Sequence, residues 1–209
     1  MTLRILFVGN SFISRNDVPG LVRELAASAG KEAETASIVA GGASLRRHLN
    51  AGTVARALEA SRWNYVVLQE QSTLPIKNPL RYHENVRALR PLIQAAGAGT
   101  VLYMTWARRA APETQQPLVA AVRTIAKEVG GMVAPVAIAW SAVARSRPEI
   151  PLYAADGSHP TAAGSLLAAC VLYGVLFQDP GLRVVVPGSL KIKPEVTEAL
   201  LDAARRALL

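Results

Sequence analysis

The stretch LRILFVGNSF, residues Leu3 to Phe12, decides the architecture of this 209-residue chain. Leu3–Val8 is an apolar run with little polar alternation, as in a strand covered on both faces of a parallel sheet. It breaks off at three small or polar residues, Gly9, Asn10 and Ser11. A buried strand with that ending delivers polar groups to one edge of a sheet.

Further along the chain come four more short runs rich in Val, Ile, Leu or Tyr: Ala36–Ala40, Tyr65–Leu68, Thr100–Thr105 and Met132–Pro135. Helical patterns separate them. Val18–Ala29 places Val18, Leu21, Val22, Leu25 and Ala26 on one stripe, with Asp17 as a cap and Gly30 as a stop. Pro79–Ala96, Glu113–Val129, Pro160–Phe177 and Pro194–Leu208 obey similar rules, and Thr53–Ala60 is a shorter case. The alternation predicts an α/β fold: a three-layer α/β/α sandwich around a doubly wound, five-stranded parallel sheet with right-handed crossovers and the flavodoxin-like order 2-1-3-4-5. Arg183–Ile192, its valine run broken by Pro187 and Gly188, reads as either an extended surface segment or an extra edge strand. No repeat, linker or low-complexity tract divides the chain, so residues 1–209 are expected to form a single domain.

With 51% hydrophobic residues, such a chain buries roughly 70% of its unfolded surface. Its longest apolar stretch, Leu166–Phe177, falls short of the roughly 20 residues of a membrane span and reads as a buried helix. No basic region followed by a long apolar segment opens the sequence, so a cytoplasmic protein without a membrane span is expected. The lone Cys170 lies inside the apolar stretch, which excludes an internal disulfide and a thiolate cluster and leaves it a packing role. A net charge of +8 invites a nucleic-acid reading. The doublets Arg46–Arg47, Arg108–Arg109 and Arg205–Arg206 are dispersed, however, and aromatics make up only 5%, so the charge reads as a solvated surface with no nucleic-acid partner. His48, His83 and His159 lie far apart without spaced carboxylates or cysteines, so no metal site is expected, and His48 and His83 read as exposed helix or loop residues.

Ligands in doubly wound sheets bind beyond the carboxyl ends of the strands, near where the strand order reverses. In the order 2-1-3-4-5 three loops converge there: Gly9–Ser11, Gly41–Ser44 and Gln69–Ser72. Ser11 taken singly is a turn former or helix cap. It gains meaning from Asp156-Gly157-Ser158-His159-Pro160-Thr161 near the other end. A serine hydroxyl needs an imidazole to remove its proton, and the imidazole works best with a carboxylate to fix its tautomer. Asp156 and His159 supply both across a short turn, and Pro160 suits the first position of the helix that follows. Each also has a plain reading, as a turn pair and a helix cap. Gly42 is either a turn residue or an amide donor to a developing oxyanion. Gln71 is the choice for a side-chain donor to that anion, with Gln69 its competitor. Trp106 and Arg108, following the fourth strand, offer a stacking surface and a carboxylate clamp, or a packing tryptophan and a surface arginine. Trp63 and Trp140 read as core or helix packing.

These blocks, in this order along most of the chain, resemble the SGNH or GDSL-type hydrolase family of esterases and lipases. The resemblance implies Ser11 as nucleophile, His159 as base and Asp156 as its orienting acid. It also implies an oxyanion hole from the amides of Ser11 and Gly42 and from a third-block side chain. Two departures stand out: Asn10 occupies the usual aspartate position, and Gln71 stands where an asparagine is usual, with Gln69 replacing the preceding glycine. The sequence is similar to a bacterial branch carrying Gln-Glu-Gln-Ser in the third block. No Gly-x-Ser-x-Gly elbow occurs, which sets the chain apart from ordinary α/β-hydrolases. The expectation is a cofactor-free serine hydrolase of carboxylic esters, acetyl or other short acyl groups on carbohydrate among them, with Asn10, Gln69, Trp106 and Arg108 touching the substrate. The alternative is a non-catalytic module holding a small anionic ligand at the same sheet edge.

Overall fold

The computed structural model describes residues 2–209. Its sheet is made of β1 (Leu3–Gly9), β2 (Ala33–Val39), β3 (Tyr65–Leu68), β4 (Gly99–Tyr103) and β5 (Met132–Ala134). All neighbours are parallel, in the order β2-β1-β3-β4-β5, as the alternation of runs predicts. The helices are α1 (Ser11–Ser14), α2 (Val18–Ser28), α3 (Leu45–Asn50), α4 (Thr53–Ala60), α5 (Leu74–Lys77), α6 (Pro79–Ala95), α7 (Gln115–Val129), α8 (Val136–Ser146), α9 (Ala162–Leu176) and α10 (Pro194–Leu208).

Period-two geometry explains why β1 reads as an unbroken apolar run. Ile5 and Phe7 enter the layer built from α2, α8, α9 and α10, while Leu6 and Val8 enter the layer built from α3, α4, α6 and α7. Each is essentially fully buried, which favours the fold by about 1.5–3 kcal/mol per side chain. Helix α9 lies between α2 and α10 and is buried around most of its circumference, as the apolar stretch requires. Cys170 sits within it, its thiol pushed up to about 12 by burial. Among the described residues no helix is long and apolar enough to cross a membrane.

The short helices α1, α3 and α5, helix α8 and the start of β2 depart from the pattern reading. Helix α8 has no counterpart in it, because the helix follows β5 immediately from Pro135, with no polar side chain capping its start, and its first residues continue the strand's apolar run. Strand β2 begins at Ala33, earlier than expected, drawn into register by the whole length of β1. Arg183–Ile192, by contrast, takes the surface form that the sequence allowed: it carries a 3-10 turn at Gly188–Leu190, and Val185 N donates to Ser28 Oγ at 2.9 Å rather than to a strand.

Candidate active site

Because β1 lies between β2 and β3, the loops leaving their carboxyl ends stand side by side, and the loop before α9 meets them from the other end of the chain. Asn10 turns the chain at the end of β1 by capping α1, its Oδ1 accepting from Phe12 N at 3.1 Å. Ser11 follows, with its Oγ 2.8 Å from His159 Nε2 across 148 residues of sequence. His159 Nδ1 lies 2.6 Å from Asp156 Oδ2. The other carboxylate oxygen accepts from the backbone amides of Ser158 and His159, both at 2.9 Å. The Ser158 amide first, then the His159 ring and the His159 amide, hold the Asp156 carboxyl well below the usual carboxylate range. An ionised carboxylate only accepts, so Nδ1 carries the ring proton and Nε2 is left to accept from the serine hydroxyl. Arg15 approaches Asp156 at 3.9 Å with both side chains 47% exposed, a contact too solvated to add much.

Behind the imidazole stands an aromatic stack. Phe12 meets the His159 ring edge-on at 5.3 Å and lies flat on Trp106 at 4.9 Å. Trp106 lies flat on Trp140 at 3.7 Å, and Tyr153 meets Trp140 edge-on at 5.0 Å. From within this stack Trp106 Nε1 donates to Ser158 O at 3.0 Å, while Arg109 N donates to Gly157 O at 2.9 Å. Together they pin the loop that carries Asp156 and His159. The expected substrate contact at Trp106 is thereby corrected: the indole is 1% exposed and braces the histidine loop from inside. Trp106→Ala should lower stability by about 3–5 kcal/mol, read as a melting temperature roughly 10 °C lower in a thermal scan.

Gln69, expected at the substrate, is an internal brace instead, and Asn10, which lines the cavity, braces the loops as well. Asn10 N donates to Gln69 Oε1 at 2.9 Å and Asn10 Nδ2 to Ala43 O at 3.0 Å, joining the first loop to the other two. Gln69 Nε2 in turn donates to Glu70 O, so both ends of this wholly buried amide are engaged. Gly9 is dictated by that packing, since a β-carbon there would stand 2.5 Å from Gln69 Oε1. Gln71 is placed differently. Its Oε1 accepts from Thr73 N and Thr73 Oγ1 at 2.9 and 3.0 Å, which turns Nε2 away from them, and the residue lines a cavity of about 340 Å³ with Ser11, Gly42, Arg108 and His159. Gly42 adopts a φ of +62°, a left-handed conformation that favours glycine, and neither its amide nor that of Ser11 donates to a backbone carbonyl among the described residues. Arg108 is exposed at the same cavity.

Both histidines outside this cluster are buried, against expectation. His48 Nε2 donates to Gly9 O at 2.7 Å and His83 Nε2 to Ala121 O at 2.8 Å. A carbonyl supplied from about 40 residues away in each case satisfies the ring, so burial carries no unmet polar group. Sequence reasoning also missed Glu70. It is 4% exposed, and its Oε1 accepts from Leu45 N at 3.0 Å and Gln71 N at 2.7 Å, while Oε2 accepts from Asn85 Nδ2 at 2.8 Å. Burial pushes its carboxyl above the ordinary range, with the three donors pulling the other way. The available signal was an acid placed directly at the end of an apolar strand.

No family model and no curated protein matches the chain. Among solved structures it is similar to a protein designated an SGNH hydrolase from Slackia heliotrinireducens, with 34% identity, a TM-score of 0.71, and coverage of 83% of this chain and 98% of the other. A DUF4886 family protein from Bacteroides uniformis superposes at a TM-score of 0.82 with 21% identity, covering 99% of this chain and 95% of its own. An acetyl xylan esterase superposes at 0.70 with 13% identity, covering 83% and 99%. These last two share the fold. The identity to the Slackia protein, along nearly all of that protein's length, shows that the chain belongs to the SGNH hydrolase family.

Proposed function

We propose that the protein is a serine esterase that cleaves short-acyl carboxylic esters through an acyl-enzyme on Ser11. The observation that carries this reading is the unbroken hydrogen-bonded sequence Ser11 Oγ, His159 Nε2, His159 Nδ1, Asp156 Oδ2, with spacings of 2.8 and 2.6 Å. His159 Nε2 takes the hydroxyl proton as Oγ bonds to the acyl carbon, and Asp156 steadies the imidazolium that forms. The carbonyl oxygen, now an anion, receives hydrogen bonds from Ser11 N, Gly42 N and Gln71 Nε2. His159 returns the proton to the departing alcohol as the ester C–O bond breaks. Water then attacks the acyl-enzyme by the same relay and restores Ser11.

The cavity favours small acyl groups: apart from Phe12, its lining is glycine or polar, with no apolar slot for a long chain. Acetyl transfer to water also agrees with the activity named for the acetyl xylan esterase, which shares the fold. On a series of nitrophenyl esters, kcat/KM is expected to be highest for acetyl and to fall at least about tenfold by octanoyl; a rise with chain length would refute the short-acyl reading. The reaction itself is tested by incubating the folded protein with a fluorophosphonate and measuring intact mass. A single adduct, lost in Ser11→Ala, supports the esterase. Arg108 at the cavity favours one other reading, a non-catalytic anion-binding module, and that reading requires no adduct at all.

A further inference from the structure

We propose that Glu70 is a positioning residue for the oxyanion site, its carboxylate locking the loop that carries Gly42 to the loop that carries Gln71; the inference rests on the acyl-transfer reading above. One oxygen of Glu70 accepts from both loops: from Leu45 N, at the start of α3 shortly after Gly42, and from Gln71 N. The second oxygen accepts from Asn85 Nδ2 on α6. Asn85, itself fully buried, accepts at its Oδ1 from Arg46 Nε at 2.9 Å. A single side chain therefore connects the exits of β2 and β3 to the helix beneath them.

The network has a fixed polarity. Backbone amides and guanidinium groups only donate. Arg46 therefore holds the Asn85 amide with its oxygen outward and its NH2 toward Glu70, and position 70 must accept at both of its terminal atoms. Glutamine, nearly the same size, cannot do so. If its oxygen stays with the two backbone amides, its NH2 faces the NH2 of Asn85; if it is turned over, two backbone donors lose their acceptor. Rotating Asn85 instead sets its NH2 against Arg46. An acid buried this completely is unfavourable unless its acceptors are filled, and here donors from three elements fill them.

This polarity yields a test that volume and general stability do not confound. In Glu70→Gln the mismatch should loosen Gln71 and the Gly42 loop together, while Ser11, His159 and Asp156 keep their own contacts. On p-nitrophenyl acetate we expect kcat to fall about 10²-fold with KM changed less than about threefold, the pattern of a lost transition-state contact. The exchange Glu70→Gln with Asn85→Asp reverses the central bond. The new amide donates to the new carboxylate, which still accepts from Arg46, and the backbone donors keep their oxygen. It should restore kcat to within about fivefold of the wild type, whereas Asn85→Asp alone sets two carboxylates against each other and should not. Wild-type kcat in Glu70→Gln overturns the proposal, as does an exchange that is unfolded or no more active than that variant. Should Glu70→Gln fail to fold, the exchange decides alone. A wild-type protein that neither hydrolyses the ester nor takes up a fluorophosphonate removes the esterase reading instead, an outcome distinct from all of these.

Discussion

Ser11→Ala should abolish ester hydrolysis, lowering kcat by about 10⁴–10⁶-fold, and should eliminate the fluorophosphonate adduct. The expectation is this large because nucleophile, base and acid act as a unit, so removing one leaves only the acceleration from binding and from the oxyanion donors. The fold should be indifferent. Ser11 Oγ has His159 Nε2 as its hydrogen-bond partner, and the cap of α1 depends on Asn10 rather than on Ser11. Stability should therefore change by no more than about 0.5 kcal/mol, as for an ordinary surface substitution. The check is a kcat measurement paired with a thermal melt. Retained hydrolysis in a variant of unchanged melting temperature would place the chemistry elsewhere.

Asp156→Asn should be nearly as damaging, lowering kcat by about 10⁴-fold, for a reason visible in the loop. Oδ1 of Asp156 accepts from two backbone amides, so the substituted side chain must keep its carbonyl oxygen there. Its NH2 then faces His159 Nδ1 and forces the opposite ring tautomer, with a proton on Nε2 pointing at Ser11. A base already carrying its proton cannot take another. Because both backbone bonds survive, the loop should stay folded, which separates this variant from Asp156→Ala, where they are lost. Circular dichroism with steady-state kinetics on both variants checks the distinction.

The sheet was legible because β1 and β3 are buried on both faces and therefore apolar without interruption, and because Asp17 marks the start of α2. Helix α9 instead begins at Ala162 with Thr161 as its cap, so Pro160 lies outside it and not at its first position. Helix α8 escaped for lack of such a mark. At the site, the meeting of Ser11, Asp156 and His159 was legible because it follows from residue type and from loops that leave the same edge of the sheet. Gln69 and Gln71 illustrate what was not readable. They are the same residue two positions apart, yet one is fully buried between Asn10 and Glu70 and the other lines the cavity. That difference is set by the neighbouring loops, which local sequence does not encode. His48, His83, Trp106 and Glu70 follow the same rule: each is buried because a partner distant in the chain completes it.

The 148-residue separation between the hydroxyl and its base bears on biosynthesis. A ribosome makes Ser11 148 residues before His159, so under the proposed mechanism the hydroxyl stays inert until the chain has grown past His159 and that loop has docked. If Ser11 is the nucleophile as proposed, turnover reports assembly of the two loops, and fragments ending upstream of Asp156 should show none. Mixing such an amino-terminal piece with its complementary carboxyl-terminal piece offers a reconstitution assay in which catalysis itself counts the correctly assembled molecules.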